Sequence, residues 1–287
     1  MTLATGLLPE ILTTASVAAA CAVLSVFVVS RRWAFIGEGI GHSGFGGAGT
    51  VWMLALAFPS LDTPWAVNAG VVVFCLAAAL GIAYLGRPRG GTNIDAVIGI
   101  FLVASVAWGF VAQELYRRAH GSREPSGFRN LLFGDVQDMT MRLAVTALFV
   151  CAAVVVAVVM LGKEIVYYCF DPAMAEASGV RSSLIHYLLV LLVALTIIVG
   201  AQVAGSVLVT ALLVLPGATA LLLSDRLRTT VGLSVATGIT GAAVAQVVRL
   251  RYPFLPTGPA IVLAMFALFL LAYAWSRVRT TRIRPAV

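Results

Sequence analysis

Charged side chains are scarce in this chain, with 19 Lys and Arg, 12 Asp and Glu and 3 His in 287 residues. A water-soluble domain of that length carries far more polar surface. Cysteine is also rare. Cys21, Cys75, Cys151 and Cys169 are scattered through or beside apolar runs with no C-x-x-C spacing. That excludes a thiolate metal cluster and leaves four packing residues. No G-x-x-x-x-G-K-[ST] is present, because Gly162-Lys163-Glu164 lacks both the earlier glycine and the hydroxyl, so the chain has no phosphate-binding loop of its own. No H-E-x-x-H is present either, which removes the ligand pair and base of an intramembrane metalloprotease. There is no low-complexity tract, no internal repeat and no soluble stretch long enough for a second domain. Residues 1–287 therefore read as one domain.

What remains is apolar. The composition is 61% hydrophobic and the mean hydropathy is +1.01. Repeated apolar runs of about 18 or more residues mark an all-α, polytopic helical membrane protein. The expected spans are 7–29, 33–57, 68–86, 94–113, 142–161, 184–200, 203–223, 230–248 and 259–276. Nine spans is the first choice. Eight is the alternative, because 184–223 could hold a broken or re-entrant segment with a break at Pro216-Gly217. The first run has no basic residue before it and reads as a spanning helix, not a cleaved signal.

The net charge of +7 and the pI near 9.7 come from arginines gathered at helix ends, which argues against a nucleic-acid partner. An outside N-terminus and an inside C-terminus place Arg31, Arg32, Arg87, Arg89, Lys163, Arg181, Arg226, Arg228, Arg277, Arg279, Arg282 and Arg284 on the inner side. Loop 114–141 is then external. Its Arg117, Arg118, Arg123 and Arg129 form a basic cluster suited to carboxylates, since a guanidinium can bond both oxygens of a carboxylate.

Within the apolar chain, Glu38 and His42 lie four residues apart. Four residues is about one helical turn, so both side chains share a face. Ionisable groups at membrane depth are kept for a task, and a carboxylate with an imidazole is a minimal site for a divalent transition metal. Glycines crowd the same span: Gly37, Gly39, Gly41, Gly44, Gly46, Gly47 and Gly49. They permit close helix approach or a loosened, cavity-lining segment. A second signal is the stretch 168–180. Asp171 caps a helix whose first residue is Pro172, and Gly179 ends it, with Ala175, Glu176 and Ala177 between. A short docking helix on the inner side is expected there. Gln202 and Asp95 are further candidates for the pathway.

These blocks resemble the permease subunit of bacterial ABC importers for zinc, manganese and iron. Arg31-Arg32 with Gly37-Glu38-Gly39-Ile40-Gly41-His42 resembles the family's R-R…G-D-A-L-S-H-A. Asn93-Ile94-Asp95-Ala96-Val97-Ile98-Gly99-Ile100 resembles D-x-x-I-G-I, and Leu132-Phe133-Gly134-Asp135 resembles L-F-G-[DS]. Phe170-Asp171-Pro172…Ala177-Ser178-Gly179 resembles F-D-P-x-x-A-x-x-x-G. The run from Gln202 through Gly205, Leu208 and Pro216 to Ala220 resembles Q-x-x-G-x-L-L-V-x-A-L-L-x-x-P-x-A-x-A. Two departures stand out. Glu38 replaces the usual aspartate, and Ser43-Gly44-Phe45-Gly46-Gly47 replaces A-V-L-P-G.

The resemblance implies a fold like that of type II ABC importer permeases, working as a homodimeric pore. Two separate ATP-binding cassette ATPase subunits would dock on the 170–180 helices, and an extracytoplasmic metal-binding protein would deliver a divalent metal as transported substrate. No permanently bound cofactor is implied, and the chain is not itself an enzyme. A secondary transporter of a small molecule or ion is the competing reading, with the metalloprotease a distant third.

Overall fold

A computed structural model describes residues 2–87, 93–121, 125, 141–204, 206–252 and 257–283. Among the described residues there is no strand, and nearly all of them are helical. Among the described residues the nine long helices are α1 (Thr2–Ser30), α2 (Ile36–Ala57), α3 (Pro64–Leu85), α4 (Ile94–Ala119), α5 (Met141–Met160), α8 (Ser182–Ala204), α9 (Ser206–Leu223), α10 (Leu227–Arg251) and α11 (Thr257–Ile283). Two short helices, α6 (Gly162–Phe170) and α7 (Pro172–Ala177), lie between α5 and α8. Each predicted span overlaps one long helix.

Seven of the long helices are apolar and long enough to cross a membrane on their own. The other two are α2, diluted by glycine, and α9, whose apolar stretch is Leu208–Leu223. Both are packed inside the bundle. In lipid a helix satisfies its own backbone, so it can cross without a partner, while a glycine-rich one needs neighbours on several sides.

Packing pairs give the helix directions. Ile40 meets Cys75 and Gly47 meets Gly70, so α2 and α3 are antiparallel. Gly39 meets Ile98 and Gly49 meets Gly109, so α2 and α4 are parallel. Ser25 meets Gly217, and Ala22 and Ala18 meet Gly238, so α9 runs with α1 and α10 against it. Gly200 lies on Val209 across the α8–α9 turn. The region 184–223 is thus two antiparallel helices and not one interrupted segment. Gly205 lies outside the described residues.

Local chemistry explains the boundaries. Thr63 accepts a hydrogen bond from the Ala66 N–H at 3.3 Å and Pro64 takes the first helical position, so α3 begins four residues before the predicted 68. α4 runs on through the predicted outer loop to Ala119. There Arg117 and Arg118 pair with Glu114 at 3.4 and 2.9 Å, so two of the four loop arginines belong to a helix. Arg123, Arg129 and the Leu132–Asp135 block lie outside the described residues, as does Arg89.

α9 also continues through Pro216, where a break was expected. The Gly217 N–H donates to Ser25 Oγ at 2.7 Å, which ties this part of α9 to α1. A Cβ on Gly217 would sit 2.5 Å from Ser25, so only glycine allows that approach. Near the other end of the bundle the buried Glu10 of α1 accepts from the Gln246 amide of α10 at 3.3 Å. It is an intramembrane carboxylate that the sequence analysis passed over.

Two glycines of α4 separate packing from propensity. A Cβ on Gly109 would stand 2.7 Å from the Phe45 carbonyl oxygen, whereas Gly99 has nothing within 4 Å. Gly109→Ala should lower stability by roughly 1–3 kcal/mol through overpacking. Gly99→Ala should be neutral or stabilising by up to ~1 kcal/mol. Thermal melting of the purified variants in one detergent reads the contrast, and equal melting temperatures would remove Gly109 from the α2–α4 contact.

Candidate metal pathway and inner polar cluster

The turn before α2 aims the site. α1 ends with Arg32 at a φ of 60° and the Trp33 N–H donating to the Val28 carbonyl at 2.9 Å. That left-handed residue reverses the chain tightly, and α2 starts at Ile36 with Glu38 in its first turn.

Glu38 and His42 do share a face. His42 Nδ1 is 3.1 Å from Glu38 Oε2 and 3.2 Å from the Glu38 carbonyl oxygen. Both neighbours are acceptors, so Nδ1 carries the hydrogen and donates. A neutral ring then presents its Nε2 lone pair away from the carboxylate. The side chains are 26% and 27% exposed, reachable yet set among helices. His42 also stacks on Phe45, with ring centroids 6.2 Å apart.

A third residue belongs here that the sequence analysis did not single out. The Thr210 hydroxyl of α9 hydrogen-bonds the Glu38 carboxylate. Thr210 Oγ1 would lie 2.9 Å from a Cβ on Gly37, so glycine at 37 lets α9 come this close. The signal in the sequence was a hydroxyl among the aliphatic residues 207–215, visible only as one polar position in an apolar run.

Four more glycines of α2 serve contact too. Gly39 faces Ile98, Gly46 and Gly47 face Phe74 and Gly70, and Gly49 faces Gly109 and Ala112. α2 is one continuous helix, so these residues bring α3, α4 and α9 close without loosening it.

Asp95 is exposed in the first turn of α4, its N–H donating to the Asn93 cap at 3.0 Å. Gln202 is half-buried in the last turn of α8. Among the described residues no group of three or more His, Cys, Asp and Glu converges, so Asp95 is not gathered with the pair. The other histidines are engaged elsewhere: His120 stacks on Tyr116 at 4.3 Å, and His186 sits in a separate cluster.

That cluster joins four elements where α1 and α3 end and α8 begins. His186 Nε2 donates to the Ala83 carbonyl at 3.0 Å, which leaves Nδ1 to accept from the Tyr168 hydroxyl at 2.7 Å. The Tyr168 oxygen accepts from Arg31 Nη2 at 3.1 Å. Burial pushes the Tyr168 phenol up to about 12, so it remains a donor. Arg31 lies over the Tyr168 ring at 4.5 Å, and Arg87 hydrogen-bonds Tyr187. Every bond runs donor to acceptor in one direction, with Arg31 just after α1, Tyr168 of α6, His186 of α8 and Ala83 of α3 as its members.

Immediately beyond Tyr168 comes α7. Asp171 Oδ1 accepts from the Met174 N–H at 2.9 Å, Pro172 is at the first position, and Gly179 has a φ of 81°. The Val180 N–H closes the helix on the Ala175 carbonyl at 2.9 Å. Ala175 is 0% exposed, so it packs inward. The exposed edge is Met174, Glu176, Ala177 and Gly179, together with Phe170 and Asp171. The position of Pro172 in the chain, with its N-terminal role in α7, is as the spacing predicted.

Residues 5–276 match the ABC 3 transport family. The chain belongs to that family. It is 30% identical to the "Manganese transport system membrane protein MntB" of Synechocystis, covering 93% of this chain and 81% of that one. It is 29% identical to the "Probable iron transport system membrane protein" of Haemophilus influenzae, covering 94% and 93%. The fold is like that of "PsaBC from Streptococcus pneumoniae in complex with Fab", with a TM-score of 0.73, 24% identity and coverage of 93% and 90%. The chain is thus a multi-pass membrane protein of an ABC transport family, and the secondary-transporter and protease readings fall away.

Tyr168→Phe should strand the His186 Nδ1 acceptor and remove an Arg31 partner. A stability loss of roughly 1–3 kcal/mol is expected, because a buried polar group loses its partner. Thermal melting beside Tyr167→Phe, whose side chain is exposed, separates the network from a general effect of losing a hydroxyl.

Proposed function

We propose that this chain carries a divalent transition metal, manganese, iron or zinc, through the membrane, with Glu38 and His42 as ligands on its route. The observation that carries the reading is the 3.1 Å contact between His42 Nδ1 and Glu38 Oε2 on one half-buried helix face. Two donors about 3 Å apart match adjacent ligands at about 2.1 Å from one ion. The arriving metal takes the place of the hydrogen between Nδ1 and Oε2, and the neutral ring keeps that hydrogen on Nε2. Thr210 holds the carboxylate in position as a partner behind the ligand. Two protein ligands do not fill a coordination shell, so water or a second copy of the chain across a two-fold axis supplies the rest. The names of the manganese and iron relatives support this class of substrate. Choice among the three metals lies in geometry and delivery, where glutamate at 38 adds a methylene of reach.

The chain has no phosphate-binding loop, so ATP hydrolysis falls to separate ATPase subunits that dock on the exposed edge of α7. A metal-binding protein delivers from the other side. The N-terminus is outside and the C-terminus inside, as the arginine distribution favours. The assembly is a homodimer of permeases with two ATPases.

Glu38→Ala and His42→Ala should each abolish uptake of radiolabelled manganese at limiting concentration while membrane insertion persists. Thr210→Val should reduce uptake about tenfold, as loss of a partner behind a ligand does. Wild-type uptake in either alanine variant would remove the pair from the route.

For the ATPase contact, Glu176→Arg with Ala177→Trp changes only exposed residues of α7. Metal uptake should fall sharply, with ATP hydrolysis by the purified complex no longer responding to the loaded binding protein. If assembly, hydrolysis and uptake all stay at wild-type values, the ATPase docks elsewhere.

A further inference from the structure

A groove of about 790 Å³ opens between α1, α5, α6 and α10, away from Glu38 and His42. Its walls are apolar, formed by Phe27, Val158, Val166 and Val231, and its rim carries Lys163 and Arg228. Both cations are exposed, and among the described residues neither makes an ion pair. The nearest carboxylates in sequence, Glu164 and Asp225, do not line the groove.

Lys163 and Arg228 are the second residues of α6 and α10, so two helix N-termini meet at the same mouth. Neither helix start has a side-chain cap bond, so first-turn N–H groups lack a capping side chain at both, and α10 has no acidic residue in its first turn, while α6 has Glu164. Tyr167 on the wall adds an amphipathic ring of the kind that settles at headgroup level. The volume falls in the range of small-molecule sites.

An apolar slot ending in two unpaired cations and two open helix starts has the polarity of one ligand class. The tail must be hydrocarbon and the head must be an anion with several acceptor oxygens. Basic pockets between membrane helices at their cytosolic ends bind anionic lipid headgroups in this way. A zwitterionic lipid would place its own cation among Lys163, Arg228 and the dipoles. A soluble anion would gain nothing from the valines.

We propose that this groove binds an anionic phospholipid, its phosphate held by Lys163 and Arg228 and an acyl chain lying along Phe27, Val158, Val166 and Val231. The lipid braces α6, and α7 follows it directly in the chain. The site is independent of the metal reading and needs only that these helix ends lie at a membrane surface.

The test uses the full chain purified in detergent, with phosphatidylglycerol, phosphatidylcholine and inorganic phosphate as probes. Phosphatidylglycerol at saturating concentration should raise the melting temperature by about 5 °C. Native mass spectrometry should find it retained. Lys163→Gln with Arg228→Gln should weaken its binding about 30-fold. Val231→Trp, which fills the slot and keeps both charges, should also displace it. An equal shift from phosphatidylcholine would show that charge selects nothing, and an equal shift from inorganic phosphate would show that no lipid is needed. Unchanged binding in the double glutamine variant would place the lipid elsewhere. Any of these three results overturns the assignment.

Discussion

Close approach of α2 to its neighbours is the constraint on which this molecule depends. Lipid is as apolar as a leucine side chain, so burying more hydrocarbon does little to bring one membrane helix to another. Contact has to come from shape. Gly37, Gly39, Gly47 and Gly49 give up their side chains, and Thr210, Ile98, Gly70 and Gly109 occupy the vacated space. Three helices consequently lie within a side chain's width of the segment that carries Glu38 and His42. The same residues that hold the helices together set the position of the ionisable pair.

Several polar groups inside the bundle are answered by a partner on another helix. The Ser25 hydroxyl takes the Gly217 N–H, next to Pro216, and the Gln246 amide answers Glu10. Arg31, Tyr168, His186 and Ala83 form one directed chain. In a low dielectric such bonds are strong when complete and expensive when broken. The Arg31–Ala83 chain therefore fixes α1, α3, α6 and α8 relative to one another, right beside the segment that leads into α7.

The stretch from Gly162 to Gly179 sits between two demands. Tyr168 and Ile165 anchor α6 in the core, while Lys163 and Tyr167 face outward beside a charged groove. α7 then turns on Gly179, whose positive φ a larger residue would adopt only with strain. A rigid root with an exposed tip suits a segment that passes motion between the bundle and another subunit. A lipid in the groove would stiffen that root further.

Much of this was legible in the residues. Nine apolar runs gave the nine long helices of the described residues, because in hydrocarbon a chain has almost no alternative to helix. The Glu38–His42 face followed from helical period, and Asp171, Pro172 and Gly179 marked the ends of α7 through local cap chemistry. The errors came where a neighbour decides. Pro216 reads as a break until Ser25 of α1 takes the next N–H, and seven glycines read equally as slack or as contact until α3, α4 and α9 are placed beside them. Ala175 looked available for docking, yet it faces inward. Thr210, Glu10 and the Tyr168–His186 bond were out of reach for the same reason: their partners lie far away in sequence, and only tertiary packing brings them within hydrogen-bonding distance. Sequence alone determined the run of helices, the capped ends of α7 and the membrane class, since those depend on local chemistry and solvent. The tertiary structure alone decided which polar groups meet, since that depends on which helices the missing side chains allow to touch.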